Sequence, residues 1–236
     1  LTILLLYLLL TVGYGIATPV LEAPDEHHHY FAATQISACR CLLTIDEANQ
    51  LARQEAAQPP LYYIIGAILI APVPTSATLP DFLWFNPYVQ LGDASTPDNN
   101  NAFVHTPAEA WPWQGDVLGV HLLRLFSTAL GAVTLLAIWQ SGRLLFPQHP
   151  ERALIATALV AFLPQFNFLH ASVSNDPLVI MFASLALWQL IHLWLHQPTR
   201  SRLLWLGITV GLAMLAKTAG LLLLIFCGGW LLLLAL

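Results

Sequence analysis

Six apolar stretches, each near the length needed to cross a bilayer, constrain this chain more than anything else in it: residues 1–20, 125–142, 153–169, 177–195, 203–216 and 220–236. A helix spans the hydrocarbon core with about 20 apolar residues, within a range of roughly 17–25. The fifth stretch reaches that length only if it runs from Arg200 to Lys217 with its basic ends snorkelling to the interface. Charged residues are 9% of the chain and hydrophobic ones 57%, whereas roughly a quarter of an ordinary soluble domain is charged. So few charges cannot clothe a water-facing surface, and lipid must cover much of the molecule. The expected fold is therefore an all-α polytopic membrane protein. The first stretch lacks the basic start and small-residue cleavage site of a signal peptide. A further apolar run at 61–71, fenced by Pro59-Pro60 and Pro72, is too short to cross. It reads as a helix lying in the interface or re-entering it, with Tyr62 and Tyr63 as aromatic anchors.

Charge orients the spans. Arg143 and Arg152 flank the turn between the second and third, and Arg200 and Arg202 the turn between the fourth and fifth. By the positive-inside tendency both turns are cytoplasmic. The segment 21–116 then lies outside, as an extracytoplasmic first loop. It holds eleven acids against Arg40 and Arg53, a net charge of −9, while the whole chain stands at −5. The expected organisation is a first transmembrane helix at 1–20, a loop with interfacial helices at 21–116, and about five further transmembrane helices at 117–236. Helix formers from Glu26 to Arg53 predict one or two helices on the membrane surface. Beyond them, seven prolines between Pro72 and Pro112 and the run Asp98-Asn99-Asn100-Asn101 predict irregular structure. Aromatic residues there, among them Phe82, Trp84 and Trp111, predict that it is nevertheless folded. Cys39 and Cys41 are too close for an unstrained bridge along a helix, and the three cysteines give no disulfide framework.

Several residues have chemistry to offer. Asp25 and Glu26, in Pro24-Asp25-Glu26-His27-His28-His29-Tyr30, stand where the first span leaves the membrane. One reading is a helix start, with Asp25 as N-cap and acids favouring the helix dipole. The other is a general base held over a substrate arriving in the lipid. Asp176, in Ser174-Asn175-Asp176-Pro177, faces the same side and also has an N-cap reading, with Pro177 at the first helical position. Arg124 and Lys217 lie at outer helix ends, against the positive-inside bias. A cation there is expected to have a partner, either an acid of the loop or a lipid phosphate. The histidines 27–29 open the question of a divalent metal, but adjacent histidines on one helix point in different directions, so at most two reach one site.

Five landmarks occur in order. They are Pro24-Asp25-Glu26 with His29, then Gln58-Pro59-Pro60-Leu61-Tyr62-Tyr63, then Arg124 leading into a span that ends Gly142-Arg143-Leu144-Leu145-Phe146. Ser174-Asn175-Asp176-Pro177 and Leu215-Ala216-Lys217-Thr218-Ala219-Gly220 complete the series. In this order they resemble the GT-C superfamily of membrane glycosyltransferases, in the branch of protein O-mannosyltransferases and lipid A aminoarabinose transferases. The resemblance implies a GT-C-like helical bundle carrying out inverting transfer from a polyprenyl-phosphate sugar to a protein or lipid acceptor, in a bacterial plasma membrane. It implies Asp25 as the base, with Glu26 and Asp176 as catalytic acids of the same face. His29, Gln58, Tyr62, Arg124 and Lys217 become substrate-binding residues. Gln58 stands where some members have Lys. The family usually has more than six spans, so the chain reads as the N-terminal half of a longer module. The competing expectation is a non-catalytic glycosyltransferase-like subunit packed against other membrane subunits. Neither reading involves nucleic acid.

Overall fold

The computed structural model describes residues 1–44, 51–81, 83–89, 101–196 and 198–235. Phe82 and residues 98–100 of the expected irregular stretch lie outside them. Among the described residues there are nine α-helices: α1 (Thr2–Ala17), α2 (Glu26–Cys39), α3 (Leu61–Ile70), α4 (Gly115–Leu145), α5 (Pro150–Ala161), α6 (Pro164–His170), α7 (Asp176–Leu195), α8 (Arg200–Ala216) and α9 (Gly220–Ala235). The protein is an all-α membrane protein, as the apolar runs require.

The spans differ in detail from those expected. Among the described residues, only α4 and α7 are each long and apolar enough to cross a bilayer. α4 begins ten residues before its apolar run, because Gly115 to Arg124 continue the helix towards the loop. The third expected span is broken. α5 and α6 meet at 65°, since Pro164 cannot donate to the preceding turn and starts a new helix. α1, with 16 residues, is about 24 Å long and falls short of the roughly 30 Å core. Large apolar side chains on α1, α5, α8 and α9 stay exposed, among them Leu9, Leu159, Leu204 and Ile225, as expected of surfaces that lipid covers.

α4 is the spine. α7, α5 and α1 pack along it, and α8 and α9 pack on α7. α1 approaches α4 closely at Gly131, where an added Cβ would strike Tyr7 Oη and the His170 ring. Tyr7 Oη donates instead to the Thr128 carbonyl at 3.0 Å.

At the loop end a second core forms from Tyr30, Phe31, Tyr62, Tyr63, Phe103 and Leu123, all fully or nearly fully buried. Tyr62 and Tyr63 are thus packing residues and not interfacial anchors, because α3 lays that face on α2 and α4. Among its described residues the Pro-rich segment contains one short antiparallel pair, β1 (Trp84–Phe85) with β2 (Phe103–Val104), in register Trp84↔Val104. Glu22, just past α1, accepts the backbone N–H groups of Ala102 and Phe103 at 2.8 Å. His105 joins Glu22 to Glu109. These contacts tie the loop to the exit of the first helix.

Cys39 and Cys41 form a disulfide, contrary to expectation. α2 ends at Cys39, and Arg40 takes a left-handed conformation (φ 55°). The bridge therefore closes across a helix end, not along a helix, and the steric objection does not apply.

Candidate functional site

Two adjacent carboxylates at the start of α2 have opposite surroundings. Asp25 occupies the N-cap position, with φ 57° and ψ 5°, and its side chain makes no capping bond. Its carbonyl begins the helix, accepting from His28 N–H at 3.0 Å and His29 N–H at 3.1 Å. Asp is among the few residues that tolerate the left-handed region. There the carboxylate leaves the helix end uncapped and stays exposed.

Glu26 is fully buried. Arg124, on α4, grips it with both arms of its fork, Nε to Oε1 at 2.8 Å and Nη2 to Oε2 at 2.6 Å. The Val173 N–H donates to Oε1 at 2.9 Å. The remaining Arg124 donors go to the carbonyls of Gly15 and Thr18, each at 2.7 Å, and of Pro19 at 2.8 Å. All five guanidinium donors are therefore spent on protein. Of the two partners expected for Arg124, the structure shows the loop acid, and no donor is left for a phosphate. Nor is Glu26, enclosed by three donors, placed to take a proton from a substrate.

Lys217, at the end of α8, reaches Asp176 Oδ1 at 2.6 Å; both side chains are partly exposed. Asp176 is the first residue of α7 rather than its cap. Asn175 holds the cap position, and the Ser174 hydroxyl donates to Asp176 Oδ2 at 3.4 Å. Tyr62 is enclosed, hydrogen-bonded to Ser127 Oγ at 3.3 Å and accepting from the Ser174 N–H at 3.2 Å. Its role is to hold the turn before α7 against α3.

His29 is where these groups converge. Burial holds its pKa below the ordinary value. The Glu55 carboxylate opposes that, Lys217 reinforces it, and Asp176 and Asp25 oppose it. Asp25, Asp176 and Lys217 are thus gathered within electrostatic reach of one ring. His29 Nδ1 lies 2.9 Å from Tyr63 Oη, and that hydroxyl donates to Glu55 Oε2 at 2.7 Å. Asn175 Nδ2 donates to the same Tyr63 oxygen at 3.4 Å. Burial and the Glu55 charge push the Tyr63 pKa up, so the phenol keeps its proton. Gln58 lines a cavity of about 170 Å³ beside Glu55 and Tyr63, and its buried Oε1 has no hydrogen-bond partner. Among the described residues no three His, Cys, Asp or Glu are arranged to hold a metal.

Sequence reasoning missed Glu55, Tyr63 and Asn175 as parts of this network. Glu55 is one of eleven loop acids and carries no local mark of burial. Asn175 was visible only as the neighbour of Asp176.

Residues 119–235 match the sequence model of the dolichyl-phosphate-mannose-protein mannosyltransferase family. This stretch, just under half of the chain, is similar to that family, which points to a membrane glycosyltransferase. The matched part contains Arg124, Asp176 and Lys217 and begins after Asp25, Glu26, His29 and Gln58. No curated protein and no solved structure matches the chain.

Proposed function

We propose that this relative of the dolichyl-phosphate-mannose-protein mannosyltransferases moves a sugar from a polyprenyl-phosphate donor to a protein or lipid acceptor, with inversion. The loop end of the bundle is the extracytoplasmic face, in a bacterial plasma membrane. Asp25 is the general base. It takes the proton from an acceptor hydroxyl or amine, whose heteroatom bonds to the anomeric carbon. The bond from that carbon to the phosphate oxygen breaks on the opposite side. Its electron pair leaves with the lipid phosphate, which gains one negative charge. Lys217 offsets that charge. One ammonium hydrogen is committed to Asp176, and the ammonium has two more. Asp176 orients the cation, and Glu26 with Arg124 holds α1, α2 and α4 together beneath the site.

The observation that carries this reading is Asp25 itself: an exposed carboxylate at a left-handed N-cap, free of any capping bond, whose charge acts on His29 as do those of the Lys217–Asp176 pair. Asp25→Asn tests it. Asn tolerates the same backbone region, so the fold should persist while transfer falls by roughly 10²–10⁴-fold, the usual contribution of a general base. Transfer from a lipid-linked sugar in membranes, measured with protein amounts matched, reads this out. Near-native turnover in Asp25→Asn rejects Asp25 as the base.

A further inference from the structure

The Glu55–Tyr63–His29 chain fixes more than a position. Glu55 and Tyr63 are almost fully buried and His29 nearly so. Tyr63 Oη has one hydrogen, and that hydrogen points to Glu55 Oε2 at 2.7 Å. At the 2.9 Å contact with His29 Nδ1 the phenol oxygen can then only accept. His29 Nδ1 must carry the hydrogen, and in the neutral ring Nε2 must be bare. Glu55 Oε2 lies 3.4 Å from the same Nδ1 and favours a hydrogen there as well. Asn175 Nδ2 donates to the second lone pair of Tyr63, so nothing in the cluster asks the phenol to donate elsewhere.

We propose that Glu55 is a positioning residue that acts through Tyr63 to lock His29 as the Nδ1–H tautomer, leaving the Nε2 lone pair as an acceptor for a hydroxyl of the bound sugar or acceptor substrate. The substrate role rests on the glycosyltransferase reading; the tautomer lock does not. The charged groups around the ring are Asp25 on its own helix, Glu55, Asp176 at the start of α7 and Lys217 at the end of α8. The three carboxylates favour an imidazolium, whereas burial, the largest effect, and Lys217 oppose it and hold the pKa below its ordinary value. At neutral pH the ring is therefore neutral, and the hydrogen bonds place its one hydrogen on Nδ1.

An isosteric change reverses the chain. In Glu55→Gln the amide can donate to Tyr63 Oη, which frees the phenol hydrogen to point at His29 Nδ1 and moves the ring hydrogen to Nε2. The test is nitrogen NMR of the full chain with 15N-labelled histidine, with His29 assigned by its loss in His29→Gln. Wild-type protein at neutral pH should show His29 as Nδ1–H, and Glu55→Gln should show Nε2–H. A wild-type ring that is Nε2–H or doubly protonated refutes the lock, and this reading does not depend on the variant folding. Because the Gln oxygen could still accept from Tyr63, the deciding variant is Glu55→Leu, which can neither accept nor donate: an unchanged tautomer in folded Glu55→Leu refutes Glu55 as its cause. In the transfer assay Glu55→Gln should lose at least about tenfold. That is less than the roughly 10⁴-fold that a wrong tautomer costs when the histidine is itself the base. A flipped ring with unchanged turnover refutes the substrate role of Nε2. A wild-type chain with no transfer activity counts against the proposed function alone, because the spectrum decides the lock separately.

Discussion

Arg124→Gln should unfold this protein more readily than any exposed substitution, and the structure sets the size of the effect. The guanidinium is 2% exposed and Glu26 is 0% exposed. Breaking a buried ion pair by removing one partner typically costs about 3–5 kcal/mol, because the remaining charge is left uncompensated. Here the carbonyls of Gly15, Thr18 and Pro19 each lose a donor as well, which places the cost towards the top of that range, though the Pro19 carbonyl keeps the Glu22 N–H. For a chain of this size 1 kcal/mol corresponds to about 2–4 °C in Tm, so the drop should be roughly 6–20 °C. Thermal unfolding of detergent-solubilised protein, followed by tryptophan fluorescence, measures it. Arg124→Lys should recover less than half of the loss, since an ammonium has three donors and no fork with which to replace five directed bonds. The cost should also survive high salt, because buried pairs are little screened. Glu26→Gln together with Arg124→Gln should cost less than the two single changes added. A Tm for Arg124→Gln within about 2 °C of wild type, or a strict sum in the double variant, would refute the clamp.

Lys217→Gln should behave the other way. Its pair with Asp176 is partly exposed and worth about 0.2–1 kcal/mol, so stability should hardly change while the affinity for the lipid-phosphate donor falls; equal donor affinity would leave Lys217 as a partner of Asp176 only. The Cys39–Cys41 bridge should block a membrane-impermeant thiol reagent in intact cells until an impermeant reductant is added. Labelling that still requires lysis would overturn the proposed orientation. Low pH should destabilise the fold through α2. Burial, helped by the charge of His28, holds His27 down at about 4, and burial holds His29 low as well. The unfolded chain therefore binds more protons below about 6.5, so this stability is complete above that pH and is lost as pH falls towards about 4. Tm measured across that window should fall with pH, and less steeply in His27→Gln; an equal slope in the two proteins would exclude His27 as a contributor.

The helices were legible because apolar length and proline are local signals. α7 starts beside Pro177, α3 follows Pro59-Pro60, and α5 begins at Pro150. The 65° break between α5 and α6 was signalled by Pro164 but hidden by the unbroken hydropathy of 153–169. The β1–β2 pair was not legible. Its strands have two residues each and are held by Glu22, some 80 positions away in sequence. The disulfide was missed because its geometry depends on the left-handed turn at Arg40, which no residue type there announces.

The site shows the same division most clearly at Asp25 and Glu26. Two neighbouring carboxylates were both read as candidates for chemistry, and nothing local separates them. What separates them is distant: Arg124 lies 98 residues away and the Val173 N–H lies 147 away. Together they offer one of the two acids three donors in a sealed space. A carboxylate enters such a space only with its donors supplied. The left-handed turn at Asp25 lets the chain put Glu26 there and leave its neighbour outside. Burying Glu26 is therefore what leaves Asp25 exposed. If Asp25 is the base, exchanging the two identities would not exchange their roles. A Glu at 25 can still reach out from the turn, at a cost in left-handed strain. An Asp at 26 is one methylene too short to hold both arms of the Arg124 fork and the Val173 N–H together. Asp25→Glu should consequently keep the fold with impaired transfer, whereas Glu26→Asp should lose stability first, as transfer rates normalised to folded protein would distinguish.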